Sequence, residues 1–524
     1  MDKLPAYEEA TRILSKRAKA GQLFMPAAFI NDSQAHINSL EQLIRTHHIG
    51  GICFFHSRAS AAANFEGKQE VTYHPDSLKR LKELIQRYQE AAPYPLLMAM
   101  DAEWGLAMRV EQAPQYPYAA TLGALKEASE ALVYEVGLSM ARDCREAGIH
   151  WNFAPVVDIN TNPDNPVIGF RAFGNRPDGV LRKARQLLQG LADGGVLSCL
   201  KHFPGHGDTA VDSHLDLPVL QKSLDALEKS ELMPFRELIR EGAPAVMTGH
   251  LAVPGLDPSG LPASLSKTTI DLLRESMGFQ GVLVTDALNM HALHSIDRNP
   301  VHLNLKACEA GNDVLCFASD IPESLDLILS KIESERLEAS FRRIWKLKER
   351  VFKVKTPPRE PRWSCQQLNQ KLAPLCLAEI GEPAQALEAF RKDAFSILYF
   401  GKRPEAFLEA LETGSDKAVE WTSELQIPTS QKVLFALNPP SMKPAEHFGL
   451  PASFQDALVA LAAKNHVVLY LFGNPYLLRL LPTDRFYALV CAFQPLPSFQ
   501  EAAAGHFLGK IRAEGELSID LDHG

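Results

Sequence analysis

The side chains with the greatest chemical capacity crowd into LKHFPGHGDTAVDSHLDLP, residues 200–218. Lys201, His202, His206, Asp208, Asp212, His214 and Asp216 can each titrate, hydrogen-bond or ligate metal, and Pro204, Gly205 and Gly207 lie among them. Pro-Gly at that density suits neither helix nor strand, so the stretch is a loop. Three chemistries fit it. It is a polar surface loop with local turns, or a Zn or Fe site drawing on His202, His206, Asp208 and His214, or an acid–base device. The metal reading is weakened because Pro204-Gly205 separates His202 from His206, which keeps the pair off a shared helix face. In the acid–base reading, Asp212 and His214 meet at i and i+2, where a carboxylate fixes the imidazole tautomer and supports its charged form.

Two further stretches carry ionisable groups. In GVLVTDALNM (281–290), Asp286 ends an apolar run, where a carboxylate needs hydrogen bonds to offset desolvation. It serves there either as a helix N-cap or as a catalytic carboxylate. In MAMDAEWGLAMRV (98–110), Asp101 is followed by Glu103, Trp104 and Arg109. Carboxylates that accept from hydroxyls, a flat aromatic and a guanidinium together suit a sugar site.

Something must hold these groups together. Short apolar runs recur at 49–55, 95–101, 149–158, 195–203, 244–251, 281–288 and 312–317, with amphipathic, helix-like segments between them. Buried strands alternating with helices predict a parallel sheet covered on both faces. Seven or eight such units over about 300 residues predict an α/β fold of the (β/α)8 TIM-barrel type. Asp101, Asp158, Lys201, His202, His250 and Asp286 all fall at the C-terminal ends of these runs, and in a barrel those ends converge on one face. The segment LEASFRRIWKLKERVF closes the pattern with an amphipathic helix, and KTPPREPRW follows as a linker. Beyond it AFSILYFG, KVLFALN, HVVLYLFGN and YALVCAF read as four more strands. The predicted division is a catalytic barrel over 1–352, a linker over 353–365 and a smaller α/β sandwich domain over 366–524.

Bulk properties narrow the partners. With 46% hydrophobic and 22% charged residues the 524-residue chain is globular, and its formal charge of −9 disfavours nucleic acid as a partner. No run approaches the ~20 apolar residues of a membrane span. Eight cysteines, none in a CxxC pair, read as free thiols in a reducing compartment. The first twenty residues lack a continuous apolar core of the signal-peptide kind, so the cytoplasm is the expected location.

The run KHFPGHGDT (201–209) followed by DSH (212–214) resembles the bacterial β-N-acetylglucosaminidase branch of glycoside hydrolase family 3. DAEWGLAMR (101–109), APVVDIN (154–160), RAFG (171–174), MTGH (247–250), VTDAL (284–288), AGNDVL (310–315) and FGNPY (472–476) extend the resemblance along nearly the whole chain. The resemblance implies that Asp286 is the nucleophile of a retaining hydrolase and that His214, polarised by Asp212, is its acid/base. Asp101, Arg171, Lys201 and His202 would hold sugar hydroxyls, with Arg109 and His250 as further contacts. It implies no cofactor and no metal, and a terminal β-linked GlcNAc substrate on a muropeptide or chitin-type oligosaccharide. The sequence departs from the commonest family pattern at DAEWG, where DQEGG is usual, and at FRAFG, where SRSFG is usual. A phosphorylase on the same site, a metal-dependent hydrolase, a non-catalytic sugar-binding protein and a carboxylate-based glucosidase or xylosidase are the competing expectations.

Overall fold

The computed structural model describes residues 4–56, 75–211, 216–353, 356–381, 383–412, 417–422 and 427–521. The chain forms two compact units: residues 1–115, 136–158 and 184–361 in the first, and 116–135, 159–183 and 362–524 in the second.

The first unit is a (β/α)8 barrel. Its strands are β1 (Phe24–Met25), β2 (Ala27–Phe29), β3 (Gly51–Phe55), β4 (Leu97–Met100), β5 (Trp151–Asn152), β6 (Leu200–Phe203), β7 (Ala245–Thr248), β8 (Val282–Thr285) and β9 (Leu315–Cys316). All pairings are parallel. The ladder runs from β2 through β3 and β4 to β5, and from β6 through β7 to β8. Single bridges continue it, Trp151 to Leu197 and Val156 to Lys201 between β5 and β6, and Val284 to Val314 between β8 and β9. The ring closes where Phe24 pairs with Leu315 and Met25 with Cys316. β1 and β2 occupy one barrel position, split at Pro26, whose carbonyl still accepts from Cys53 N at 3.1 Å. A proline lacks the N–H that a strand interior uses, which explains the break.

Every residue of β3, β4, β6, β7 and β8 is buried. That fits strands covered inside and out, and the continuous apolar runs follow from it. The helices keep a 3.6-residue apolar stripe instead. Ser77–Ala91 buries Leu81, Leu84, Ile85 and Tyr88, and Ser334–Phe352 buries Leu337, Phe341, Ile344, Trp345 and Leu347. Each large side chain so buried contributes about 1.5–3 kcal/mol. Phe341 and Trp345 pack against Leu4, Ala10, Leu14 and Ala18 of the N-terminal segment. On the same helix Lys348 is fully buried, and its ammonium donates to Gln22 Oε1 at 2.5 Å.

The second unit is a smaller α/β sandwich. Its strands are β10 (Ala378–Ile380), β11 (Ser396–Gly401), β12 (Val419–Glu420), β13 (Lys432–Asn438), β14 (His466–Leu471) and β15 (Ala488–Cys491). They form one sheet in the order β10-β15-β14-β13-β11-β12, parallel except for the antiparallel edge strand β10. The order reverses beside β11, as in doubly wound sheets. The four longer strands coincide with the four apolar runs read from the sequence. The two short edge strands have no such run, and β12 is exposed at both residues. Ser364 opens the helix Cys365–Cys376 with a capping box closed by Gln367.

Candidate active site

At the end of β4, Asp101 lies opposite Lys201 of β6. The Lys201 ammonium is 1% exposed and held by two carboxylates, Asp101 Oδ1 at 2.7 Å and Glu103 Oε1 at 2.7 Å. Arg109 Nη2 donates to Asp101 Oδ2 at 3.1 Å, and its guanidinium stacks over the Phe55 ring, 3.7 Å from the centroid. Two anions and two cations alternate, so no charge is left uncompensated at a costly depth. Burial alone would push the Asp101 carboxyl up. The charges and hydrogen bonds of Lys201 and Arg109 overcome that and hold it well below the usual carboxylate range. Asp101 keeps 22% of its side chain accessible. It is therefore an ionised, oriented acceptor of the kind a sugar hydroxyl uses.

The loop after β6 is built on Asp158. Its Oδ2 accepts from His202 Nδ1 at 2.7 Å, its two oxygens from His202 N at 3.1 and 3.2 Å, and its Oδ1 from His206 N at 2.7 Å. Burial again opposes ionisation, and His202 with these hydrogen bonds outweighs it, so the Asp158 carboxyl titrates below its ordinary value. The bond at Nδ1 fixes the tautomer and ring plane of His202. His206 bonds Thr209 Oγ1 through Nδ1 at 2.8 Å, and burial followed by the neighbouring His202 lowers its pKa to about 4. Gly205 adopts φ +125°, and a Cβ there would stand 2.6 Å from the Glu231 side chain. Lys222 links Asp208 (2.9 Å) to Glu231 (2.5 Å), clamping the loop as far as residue 208. Asp212 and His214, the expected acid–base pair, lie outside the described residues.

Asp286 follows β8. Its backbone N–H donates to Thr248 O at 2.9 Å, and its Oδ1 accepts from Ala287 N at 2.8 Å. The helix-cap alternative does not hold, because the next helical turn starts at His291 with Met290 at its N-cap. Asp286 lies near enough to His206, Cys199 and Cys316 to act on them electrostatically. His250, expected to contact sugar, is 0% exposed. Its Nε2–H donates to Ala287 O at 3.0 Å, which leaves Nδ1 to accept from Ser264 Oγ at 2.7 Å. With both nitrogens engaged it braces the chain beside Asp286.

The barrel thus gathers Asp101, Arg109, Lys201, His202, His250 and Asp286 at the C-terminal ends of its strands. Arg171 belongs to the second unit, in the helical turn Gly169–Arg171, where its Nη1 donates to Val167 O at 3.0 Å. Glu103, which the sequence offered as a carboxylate beside Asp101, is the second anion on Lys201. One participant was missed by sequence reasoning: His56, at the end of β3, pairs with Glu111. His56 carried the strand-end signal that marked Asp101 and Asp286. Among the described residues no group of three or more His, Cys, Asp or Glu is placed to hold a metal ion.

Comparison with known proteins agrees with this geometry. Residues 15–354 match the glycosyl hydrolase family 3 N-terminal domain. Beta-hexosaminidase A of Pseudoalteromonas piscicida is 33% identical over 60% of this chain and 55% of its own length, so the chain spans about half of that relative. A beta-hexosaminidase of Xylella fastidiosa is 37% identical over 50% of this chain and 77% of its own length. A family 3 β-N-acetylglucosaminidase structure from a Paenibacillus species superposes with a TM-score of 0.75 at 27% identity, covering 98% of this chain and 100% of that one.

Proposed function

Since the chain belongs to glycosyl hydrolase family 3, we propose that it is a retaining exo-β-N-acetylglucosaminidase with Asp286 as nucleophile. One observation carries the reading: a carboxylate at the end of β8 shares a barrel face with the ionised Asp101–Lys201–Arg109 cluster. Asp286 attacks the anomeric carbon while His214 protonates the departing glycosidic oxygen, and the C–O bond breaks as a glycosyl ester forms. Neutral His214 then takes a proton from water, whose oxygen displaces Asp286 and restores the β configuration. Asp212 polarises His214. Asp101, Lys201 and His202, with Arg109, bind the hydroxyls of the terminal sugar. The beta-hexosaminidase and β-N-acetylglucosaminidase names of the relatives support GlcNAc as that sugar.

The finer substrate is a muropeptide fragment, with chitin-type oligosaccharides second. The eight free cysteines support action in the cytoplasm. The test is release of nitrophenol from 4-nitrophenyl β-GlcNAc by EDTA-treated protein, with proton NMR of the first-formed anomer. Activity that survives chelation, yields the β anomer first, vanishes in Asp286→Ala and drops sharply in His214→Ala is expected. A first-formed α anomer or an active Asp286→Ala protein would overturn the mechanism.

A further inference from the structure

A cavity of about 570 Å³ opens on the opposite, N-terminal face of the barrel. It lies between the turns that enter β7 and β8, at Gly242–Pro244 and Gly278–Gly281, and the helix Ser334–Phe352. Arg342, Arg343, Lys346 and Arg350 line it, and no acidic side chain does among the described residues. In a chain of net charge −9, such a cluster is a local arrangement and not a sample of surplus cations.

Among the described residues Arg342, Lys346 and Arg350 have no carboxylate partner, and Arg343 shares one. Arg342 and Arg350 are exposed and form no ion pair among the described residues. Lys346 sits 5.9 Å over the Tyr7 ring. Arg343 Nη1 is buried without a hydrogen-bond partner, and its Nε is 3.6 Å from Asp313 Oδ2. That carboxylate is already bound by Arg274 at 2.5 Å and reached by Arg336 at 3.7 Å. One buried anion is thus divided among three guanidiniums. Burial, with Arg336 and Arg342 close by, lowers the Arg343 pKa, although Asp313 acts in the other direction.

The wall is rigid. Arg274 Nη1 donates to Phe279 O at 2.9 Å and Gly281 O at 2.8 Å, pinning the turn into β8. Gly281 lies so close to the preceding strand entry that a Cβ would stand 2.5 Å from Pro244 O.

We propose that this cavity binds a small molecule bearing a di- or triphosphate. Arg342, Lys346 and Arg350 follow at i, i+4 and i+8, along about 12 Å of helix. That span exceeds one phosphate and matches a short phosphate chain, whose oxygens guanidinium forks bind in pairs. The volume lies within the range of small-molecule pockets, about 300–1,000 Å³. The site stands on the barrel face away from Asp286, so its ligand is neither substrate nor leaving group of the hydrolysis.

Isothermal titration of the full chain with inorganic pyrophosphate, ATP and orthophosphate tests the assignment. Pyrophosphate and ATP should bind with dissociation constants well below about 1 mM and more tightly than orthophosphate. The paired substitution R342E/R350E should weaken both by about tenfold or more while 4-nitrophenyl β-GlcNAc hydrolysis stays at the wild-type rate. No saturable binding of either probe, orthophosphate binding as tightly, or equal affinity in the variant would overturn the proposal. Should charge reversal disturb folding, as read by circular dichroism, R342Q/R350Q replaces it with the same expected and overturning results.

Discussion

Lys348 offers the sharpest physical test of the barrel. Its side chain is fully buried, donates to a single acceptor, Gln22 Oε1, and lies 5.6 Å over the Trp345 ring. Burial lowers its pKa from 10.5 to about 7. The unfolded chain therefore holds this proton up to about pH 10.5 and the folded chain only to about pH 7. Between those values the unfolded state binds more protons, so stability rises with pH, and below pH 7 the full cost of the buried ammonium is present. At about 1.4 kcal/mol per pH unit the cost is roughly 4–5 kcal/mol at pH 6 and under about 1 kcal/mol at pH 10. Lys348→Met removes it and leaves Gln22 Oε1 without its donor, a loss of about 1–3 kcal/mol at every pH. The variant should be more stable than wild type at pH 6 and less stable at pH 10, with the difference changing by roughly 4 kcal/mol. Urea unfolding of both proteins at the two pH values, followed by tryptophan fluorescence, measures that change. A stability difference independent of pH would refute the burial argument.

Other perturbations follow from the same reasoning. Lys201→Met removes the cation that Asp101 and Glu103 share, so kcat/KM should fall at least tenfold and its acidic limb should move to higher pH. A pH–rate profile superimposable on wild type would exclude a role for the cluster. Asp313→Ala removes the carboxylate that, among the described residues, Arg274, Arg336 and Arg343 share, and chemical denaturation should show a loss of about 3–5 kcal/mol. A loss under about 1 kcal/mol would mean that the guanidiniums are satisfied by solvent. His206 is neutral in the fold down to about pH 4, against 6.5 in the unfolded chain. Its contribution to stability is complete above pH 6.5 and falls by about 3 kcal/mol as pH drops to 4. His206→Asn should flatten the measured stability profile over that interval, and an unchanged slope would contradict the assignment.

The barrel was legible because parallel strands buried on both faces leave continuous apolar runs, and because polar residues ending those runs must share one face. Asp101, Lys201, His202 and Asp286 were found in this way. The first strand was not, since Pro26 divides it into pieces too short to form a run. Glu103 stood in view two residues past Asp101, but its partner Lys201 is almost a hundred residues away and no local pattern joins them. The clamp of Lys222 on Asp208 and Glu231 was hidden for the same reason. His250 shows the opposite limit. A strand-end position placed it near the chemistry, and only the bonds to Ser264 and Ala287 show that its ring is already engaged. In the second unit β10 and β12 are two or three residues long and lie at sheet edges, so burial imposes little pattern on them.

The pairing of β1 with β9 also bears on how the chain is made. Residue 24 cannot meet residue 315 until nearly three hundred more residues have left the ribosome. At about 5–20 residues per second that takes roughly 15–60 s. Throughout that interval the growing barrel is an open sheet with two unpaired borders, each a template for pairing with another nascent chain. A chain stopped before residue 314 would keep that defect permanently. Synthesis that stalls within the last strand-helix units should therefore yield aggregate, while a pause after the last of them should leave the ring of strands closed.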